Sequence, residues 1–390
     1  MSDLEDRLSR LRPARAPESL WERVQTGRPA PAAPRSPVRE PLMVAAAASL
    51  AAALLYVLFM SGPDPAHVAA TTSLGAPSRS LALDLLHYPH RIVFESRRDG
   101  NGEIYRMDAD GTNLVNLTNS PDIDECYPKA SPDGSRICYV ADENPAGRRR
   151  RSLWVMNADG KDRRKIADHG REPCWSADGT RIAFVKNEFD ADLQVDFATR
   201  GLYIADLATG AVREHSNGEL RHLYTLNWTN DGKWFIATVH GAMGFTHNVI
   251  AVEADGPRIV DLGLDGCRPD VSPDGTRIAW GRTDFTLAVG DLEIGPAGPS
   301  VSNVRSVVES LEPIETYHVD WSPDGRYISF SYGPKSRDKS LKGLLPEFPG
   351  VEARGWNIGV ADASGKNVWT PLTTDGRSNK EPDWLPERRK

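Results

Sequence analysis

One four-residue turn returns along the chain and limits the folds open to it. Ser131-Pro132-Asp133-Gly134 recurs as Ser176-Ala177-Asp178-Gly179, Thr229-Asn230-Asp231-Gly232, Ser272-Pro273-Asp274-Gly275 and Ser322-Pro323-Asp324-Gly325, at spacings of 45, 53, 43 and 50 residues. Proline presets one φ, aspartate bonds its own backbone two residues on, and glycine accepts a positive φ, so each copy is a tight turn. A basic residue and an apolar strand follow each turn: Arg136-Ile137, Arg181-Ile182, Lys233-Trp234, Arg277-Ile278 and Arg326-Tyr327. Another strand ends just before it, at Ala130, Trp175, Trp228, Val271 or Trp321. Repeats of this period build arrays in which one small unit stacks on the next.

A sixth copy is split between the ends of the array. Arg91-Ile92-Val93-Phe94 has lost its preceding turn, and Glu381-Pro382-Asp383-Trp384 has no strand after it. Pairing the two closes a ring, which hides the edges that an open array would expose. Third strands follow at 104–107, 153–156, 202–205, 248–252, 287–289 and 357–360, with short fourth strands after them. The predicted class is therefore all-β, a six-bladed β-propeller over residues 89–390. The 33 glycines and 29 prolines in a chain with 39% hydrophobic residues suit many turns around an ordinary core.

The string Asn101-Gly102-Glu103-Ile104-Tyr105-Arg106-Met107-Asp108-Ala109-Asp110-Gly111-Thr112-Asn113 and the Trp-Ser-Pro-Asp-Gly of 321–325 resemble the WD40-like repeats of TolB-type propellers. The likeness covers residues 91–386. It implies a docking platform in the bacterial envelope, although related repeats also occur in peptidases and polysaccharide lyases. The segment before the propeller departs from the soluble periplasmic pattern of that family, so the family's particular partners are not carried over.

That segment, residues 42–60, is uncharged. Nineteen residues at 1.5 Å each span about 28 Å, close to the hydrocarbon thickness of a bilayer. Eight arginines precede it and only Arg79 falls within 61–90, so the positive-inside rule places the N-terminus in the cytoplasm. The expected layout is a basic cytoplasmic tail (1–41), one transmembrane helix (42–60), a linker (61–88) rich in Pro, Ala and Ser, and a propeller in the periplasm, held to the inner membrane. A cleaved leader is the alternative, against which the 41 residues before the apolar run argue.

In such a blade the turns joining first to second and third to fourth strands share one face, and they are short here. The second-to-third loops at 141–151, 187–200, 240–246 and 333–355 differ greatly in length, and variable loops on a rigid scaffold tend to carry function. The residue four places before each turn opens onto that variable face: Tyr127, Glu172, Thr225, Arg268, His318 and, at the closing strand, Glu381. This predicts a mixed polar ring at the channel mouth for a peptide or protein partner, or a hydrated channel wall. Arg148, Arg149, Arg150 and Arg151 form a basic loop tip, and Leu344 and Phe348 sit in an apolar insertion that caps the channel or meets a partner.

Chemistry has weaker signals. No G-x-S-x-G elbow, HExxH pair or phosphate loop occurs, no catalytic domain is expected after the closing strand, and no cofactor or metal is predicted. The competing enzyme reading is a glycan lyase or hydrolase using His318 with Glu172 or Glu381. A third is an accessory subunit whose alanine-rich helix packs in a larger membrane complex. The formal charge of -7 lacks the basic bias of a nucleic-acid binder. Of the four cysteines, Cys126 and Cys174 are the only pair considered for a disulfide; the others read as small buried hydrophobes.

Overall fold

A computed structural model describes residues 73–143, 150–187, 198–335 and 348–388. The tail, the apolar run 42–60, Arg148, Arg149, Leu344 and the Arg150 side chain lie outside them. Among the described residues no helix is long and apolar enough to cross a membrane.

Six four-stranded antiparallel sheets make the fold. The first blade holds β1 (Arg91–Ser96), β2 (Glu103–Asp108) and β3 (Val115–Asn116), with β24 (Asn379–Leu385) as its inner strand. The second is β4 (Asp124–Ala130), β5 (Arg136–Glu143), β6 (Arg150–Asn157) and β7 (Arg164–Asp168). The third is β8 (Gly170–Trp175), β9 (Arg181–Asn187), β10 (Thr199–Asp206) and β11 (Val212–Glu214). The fourth is β12 (Leu223–Trp228), β13 (Trp234–His240), β14 (His247–Glu253) and β15 (Ile259–Leu264). The fifth is β16 (Cys267–Val271), β17 (Arg277–Thr283), β18 (Thr286–Gly295) and β19 (Gly298–Glu309), and the sixth is β20 (Ile314–Trp321), β21 (Tyr327–Pro334), β22 (Asn357–Asp362) and β23 (Trp369–Pro371).

The ring closes as the split repeat predicts: Ile92 pairs with Trp384 and Val93 with Asp383. The cores lie between blades. One cluster joins Ala279, Leu287 and Val289 of the fifth blade to Ile328, Phe330 and Trp369 of the sixth.

Each turn satisfies its own polar groups. In the first, Gly134 N–H donates to the Ser131 carbonyl at 2.8 Å, Ser131 Oγ donates to Asp133 at 2.6 Å, and Arg136 N–H donates to Ser131 Oγ at 2.9 Å. In three of the five copies the arginine after the turn acts on the next blade. Arg136 Nη2 donates to the Gly179 carbonyl at 2.7 Å with its guanidinium 5.1 Å from the Trp175 ring, and Arg277 repeats this on Gly325 (3.0 Å) and Trp321 (4.5 Å). Arg181 lies 4.7 Å over Trp228. Turn, arginine and tryptophan thus form one device that staples neighbours together.

Two expectations change. Part of the predicted linker is ordered: α1 (Arg79–Leu85), capped by Ser78, buries Leu81 and Leu85 against the first and sixth blades, while Trp369 Nε1 donates to the Gly75 carbonyl at 3.3 Å and Leu74 is fully buried. Leucines at 81, 83, 85 and 86 fit no clean helical period, so the sequence alone does not separate a short docked helix from a spacer. The fourth strands are not all short, since β19 runs for 12 residues.

Candidate functional site

The six residues predicted to ring the mouth occupy equivalent places, and all are left-handed: Tyr127 (φ 53°), Glu172 (50°), Thr225 (50°), Arg268 (57°), His318 (57°) and Glu381 (51°). The cause is a bulge repeated in every inner strand, where the register slips by one residue, as between Cys126 and Lys129 or Tyr317 and Asp320. Side chains from neighbouring blades hold the bulged backbone. Thr225 N–H donates to Glu172 Oε2 at 2.9 Å, Arg268 N–H to Thr238 Oγ1 at 2.9 Å and Glu381 N–H to Ser331 Oγ at 3.2 Å.

This ring is packed rather than open. Five of the six side chains are buried, and Thr225 is half-buried. His318 Nε2 lies 2.7 Å from Glu381 Oε1, and the Arg268 guanidinium sits between the rings of Tyr224 and Tyr317 at 5.6 and 5.8 Å. Glu172, the other carboxylate considered with His318, instead accepts from Thr225. Over the ring lies the end of the apolar insertion. Phe348 is buried and its carbonyl accepts from Lys380 Nζ at 2.6 Å, while Gly350 N–H donates to Glu95 Oε2 at 3.0 Å. Burial pushes the Glu95 carboxyl up, against the pull of Lys380.

Arg151 is corrected from loop tip to core. It is 8% exposed at its side chain and forms a two-pronged pair with Asp142, Nε to Oδ1 and Nη2 to Oδ2, both at 2.7 Å. Cross-strand pairing of Asp142 with Arg151 sets up that geometry. All four cysteines are free, three of them buried, so Cys126 and Cys174 form no disulfide, and burial pushes the Cys174 thiol up to about 12.

A concave surface at the channel axis lies on the opposite, tight-turn face. A funnel of about 330 Å³ is walled by Lys129, Cys174, Asn227, Asp270, Asp320 and Asp383, one from each blade, with Trp175, Trp228, Trp321 and Trp384 behind them and Pro132, Ala177, Asn230, Pro273, Pro323 and Pro386 at the rim. These wall residues stand two places before each turn, a position the mouth-ring reading passed over. The signal was present in the Asp-Trp and Asp-Val pairs at 270–271, 320–321 and 383–384.

Lys129 Nζ is 2.7 Å from Asp383 Oδ2 and 3.5 Å from Asp320 Oδ1. The aspartates also cap the next inner strand: Ala130 N–H donates to Asp383 at 2.7 Å, Trp321 N–H to Asp270 at 2.8 Å and Trp384 N–H to Asp320 at 2.7 Å. Burial raises the Asp320 and Asp270 carboxyls above the usual range, with Asp383 adding to it, while these carboxylates hold Lys129 well above the ordinary lysine range despite its burial. The result is a rigid, mixed-charge pit lined by indole edges, suited to seat a polar or cationic side chain. Among the described residues no three His, Cys, Asp or Glu side chains converge on one metal position.

No family model matches the chain. Over 106 residues it is 36% identical to a protein TolB homolog of Chlorobaculum tepidum, a stretch that is 26% of this chain and 23% of that protein. The chain thus matches about a quarter of that relative's length. The crystal structure of TolB from Acinetobacter baumannii superposes with a TM-score of 0.55 at 19% identity, covering 76% of this chain and 67% of that one. Hydrazine synthase of Kuenenia stuttgartiensis gives 0.52 at 13% identity, covering 78% and 48%. At these identities the structural likeness is one of fold.

Proposed function

Taking a TolB-like six-bladed propeller as the premise, we propose that the chain is a membrane-anchored docking platform of the cell envelope, with residues 42–60 crossing the inner membrane and the propeller on the periplasmic side. One observation carries the docking role: the funnel on the tight-turn face, whose floor combines Lys129 with three aspartates inside a ring of rigid inner strands. A protein segment that inserts a polar or cationic side chain between the turn loops fits it. Preorganised walls reduce the ordering that association requires. The variable face, with Phe348 and Gly350 tied over the bulged ring, serves as the closed end.

Ala177 is exposed at the rim. Full-length protein carrying Ala177→Trp is expected to lose a partner captured by crosslinking in intact membranes, with unfolding midpoint unchanged. Capture at wild-type yield by Ala177→Trp would sink the funnel as the docking site. A C-terminal alkaline phosphatase fusion is expected to be active, and an inactive one would overturn the topology.

The enzyme reading has a specific observation of its own, the His318–Glu381 contact at 2.7 Å. It requires glycan turnover that disappears in His318→Ala.

A further inference from the structure

Arg97, Arg354 and Arg377 stand in three separate connections: the β1–β2 loop, the end of the β21–β22 loop and the link from β23 to β24. All three connections emerge on the variable face, and hydrogen bonds tie them together where the sixth blade meets the first. Arg97 N–H donates to the Ser378 carbonyl at 3.1 Å, Gly355 N–H to the Gly376 carbonyl at 3.0 Å and Ala353 N–H to Ser378 Oγ at 2.9 Å. The tied segments enclose a cleft of about 290 Å³ lined by Arg97, Glu352, Arg354, Gly376, Arg377 and Ser378.

Three guanidinium charges thus share one cleft with a single carboxylate, Glu352. Arg97 Nη2 lies 3.0 Å from both the Gly350 carbonyl and Asp124 Oδ1, which fixes the head of that side chain. Arg377 is exposed, donates from Nη1 to the Arg98 carbonyl and, among the described residues, is in no ion pair. The turn that carries it is set by Gly376 (φ 68°) and by Asp375 Oδ1, which accepts from Arg377 N–H at 3.1 Å and from Asn379 Nδ2 at 2.8 Å. Arg354 is exposed, and its Nε lies 2.8 Å from Glu352 Oε1. Like charges gathered in this way repel one another, and an anion seated among them relieves the repulsion.

The planar fork of a guanidinium matches the oxygens of a carboxylate or a phosphate. A carboxylate offers two oxygens, whereas a phosphate monoester offers three, one for each arginine. None of the lining side chains is apolar, so the cleft suits a polar body, and its volume is near the lower end, about 300 Å³, of small-molecule sites. Glu352 on the same wall accepts from hydroxyl groups. We propose that this cleft binds a small phosphorylated polyol of the glycerol phosphate kind, either free or as the headgroup of a lipid. The site is separate from the funnel on the tight-turn face and does not depend on it.

Glycerol phosphate titrated calorimetrically into the full-length chain in uncharged detergent micelles tests this. One equivalent is expected to bind saturably, and glycerol itself not at all. Arg354→Gln and Arg377→Gln are each expected to weaken the affinity at least about tenfold, the loss of one charge-assisted hydrogen bond. Both side chains are exposed, so the unfolding midpoints should stay at the wild-type value. Arg213→Gln, exposed in the third blade, leaves the affinity unchanged. Glu352→Gln removes the one carboxylate and is expected to tighten inorganic phosphate several-fold, a gain that a misfolded variant does not give. Phosphatidylglycerol doped into the micelles displaces glycerol phosphate where the source is a lipid headgroup, and its failure to do so, with phosphatidylcholine as control, assigns a soluble ligand. Absence of saturable binding, equal affinity in the wild type and both arginine variants, or glucuronate bound as tightly as glycerol phosphate overturns the site.

Discussion

Glu125 shows how much one side chain can oppose its fold. It is 2% exposed, its Oε2 has no hydrogen-bond partner among the described residues, and burial, aided by the Glu103 carboxylate, pushes its pKa up to about 8. A carboxyl raised on folding binds its proton more tightly in the native state. Stability is then greatest below the unfolded value of 4.5 and is lost as pH climbs through about 8. Glu125→Gln removes that titration, so its advantage over the wild type should be small at pH 5 and grow to roughly 3 kcal/mol by pH 8.5 in urea unfolding. An equal gap at both pH values would refute the assignment. The residue could not be singled out beforehand, because a glutamate at the start of a strand reads the same whether solvated or buried. The six mouth residues were found by counting back from the turns, yet their left-handed backbone and their burial were not legible. Both come from the bulge, which depends on side chains such as Thr238 and Ser331 in neighbouring blades.

At the scale of the element, the repeated turns are alike in sequence and unlike in surroundings. Gly134 and Gly232 both have positive φ, 66° and 72°. A Cβ on Gly134 would lie 2.0 Å from the Pro386 carbonyl oxygen, whereas one on Gly232 meets nothing within 4 Å. Gly232→Ala should cost about 1–2 kcal/mol, the price of left-handed backbone alone, and Gly134→Ala about 3 kcal/mol or more, because the chain end that closes the ring must move. Chemical denaturation of the two variants decides it, and equal losses would mean that Pro386 yields freely. All six third strands were placed by their apolar runs, five of them to within three residues at either end, while β18 runs six residues past its expected end. The docked helix α1 and the length of β19 were missed, since a short helix and an outer strand take their stability from what they pack on.

The ring as a whole stands on β24. Trp384 is 3% exposed, pairs with Ile92, and touches Tyr88 edge-on at 5.4 Å between ring centroids. Trp384→Ala should lose about 3–5 kcal/mol and shift the midpoint for the entire propeller in one transition. A separate early transition confined to the first blade would show that closure is not cooperative with the rest. The sequence alone determined the class, the number of blades and the way the ends meet, because tight turns and alternating apolar strands are local, and their period counts the units directly. Only the tertiary structure decided which end of the channel is open and that Arg151 is a core residue. Those depend on which side chains neighbouring strands and blades bring within a few ångströms, and separation along the chain carries no record of that.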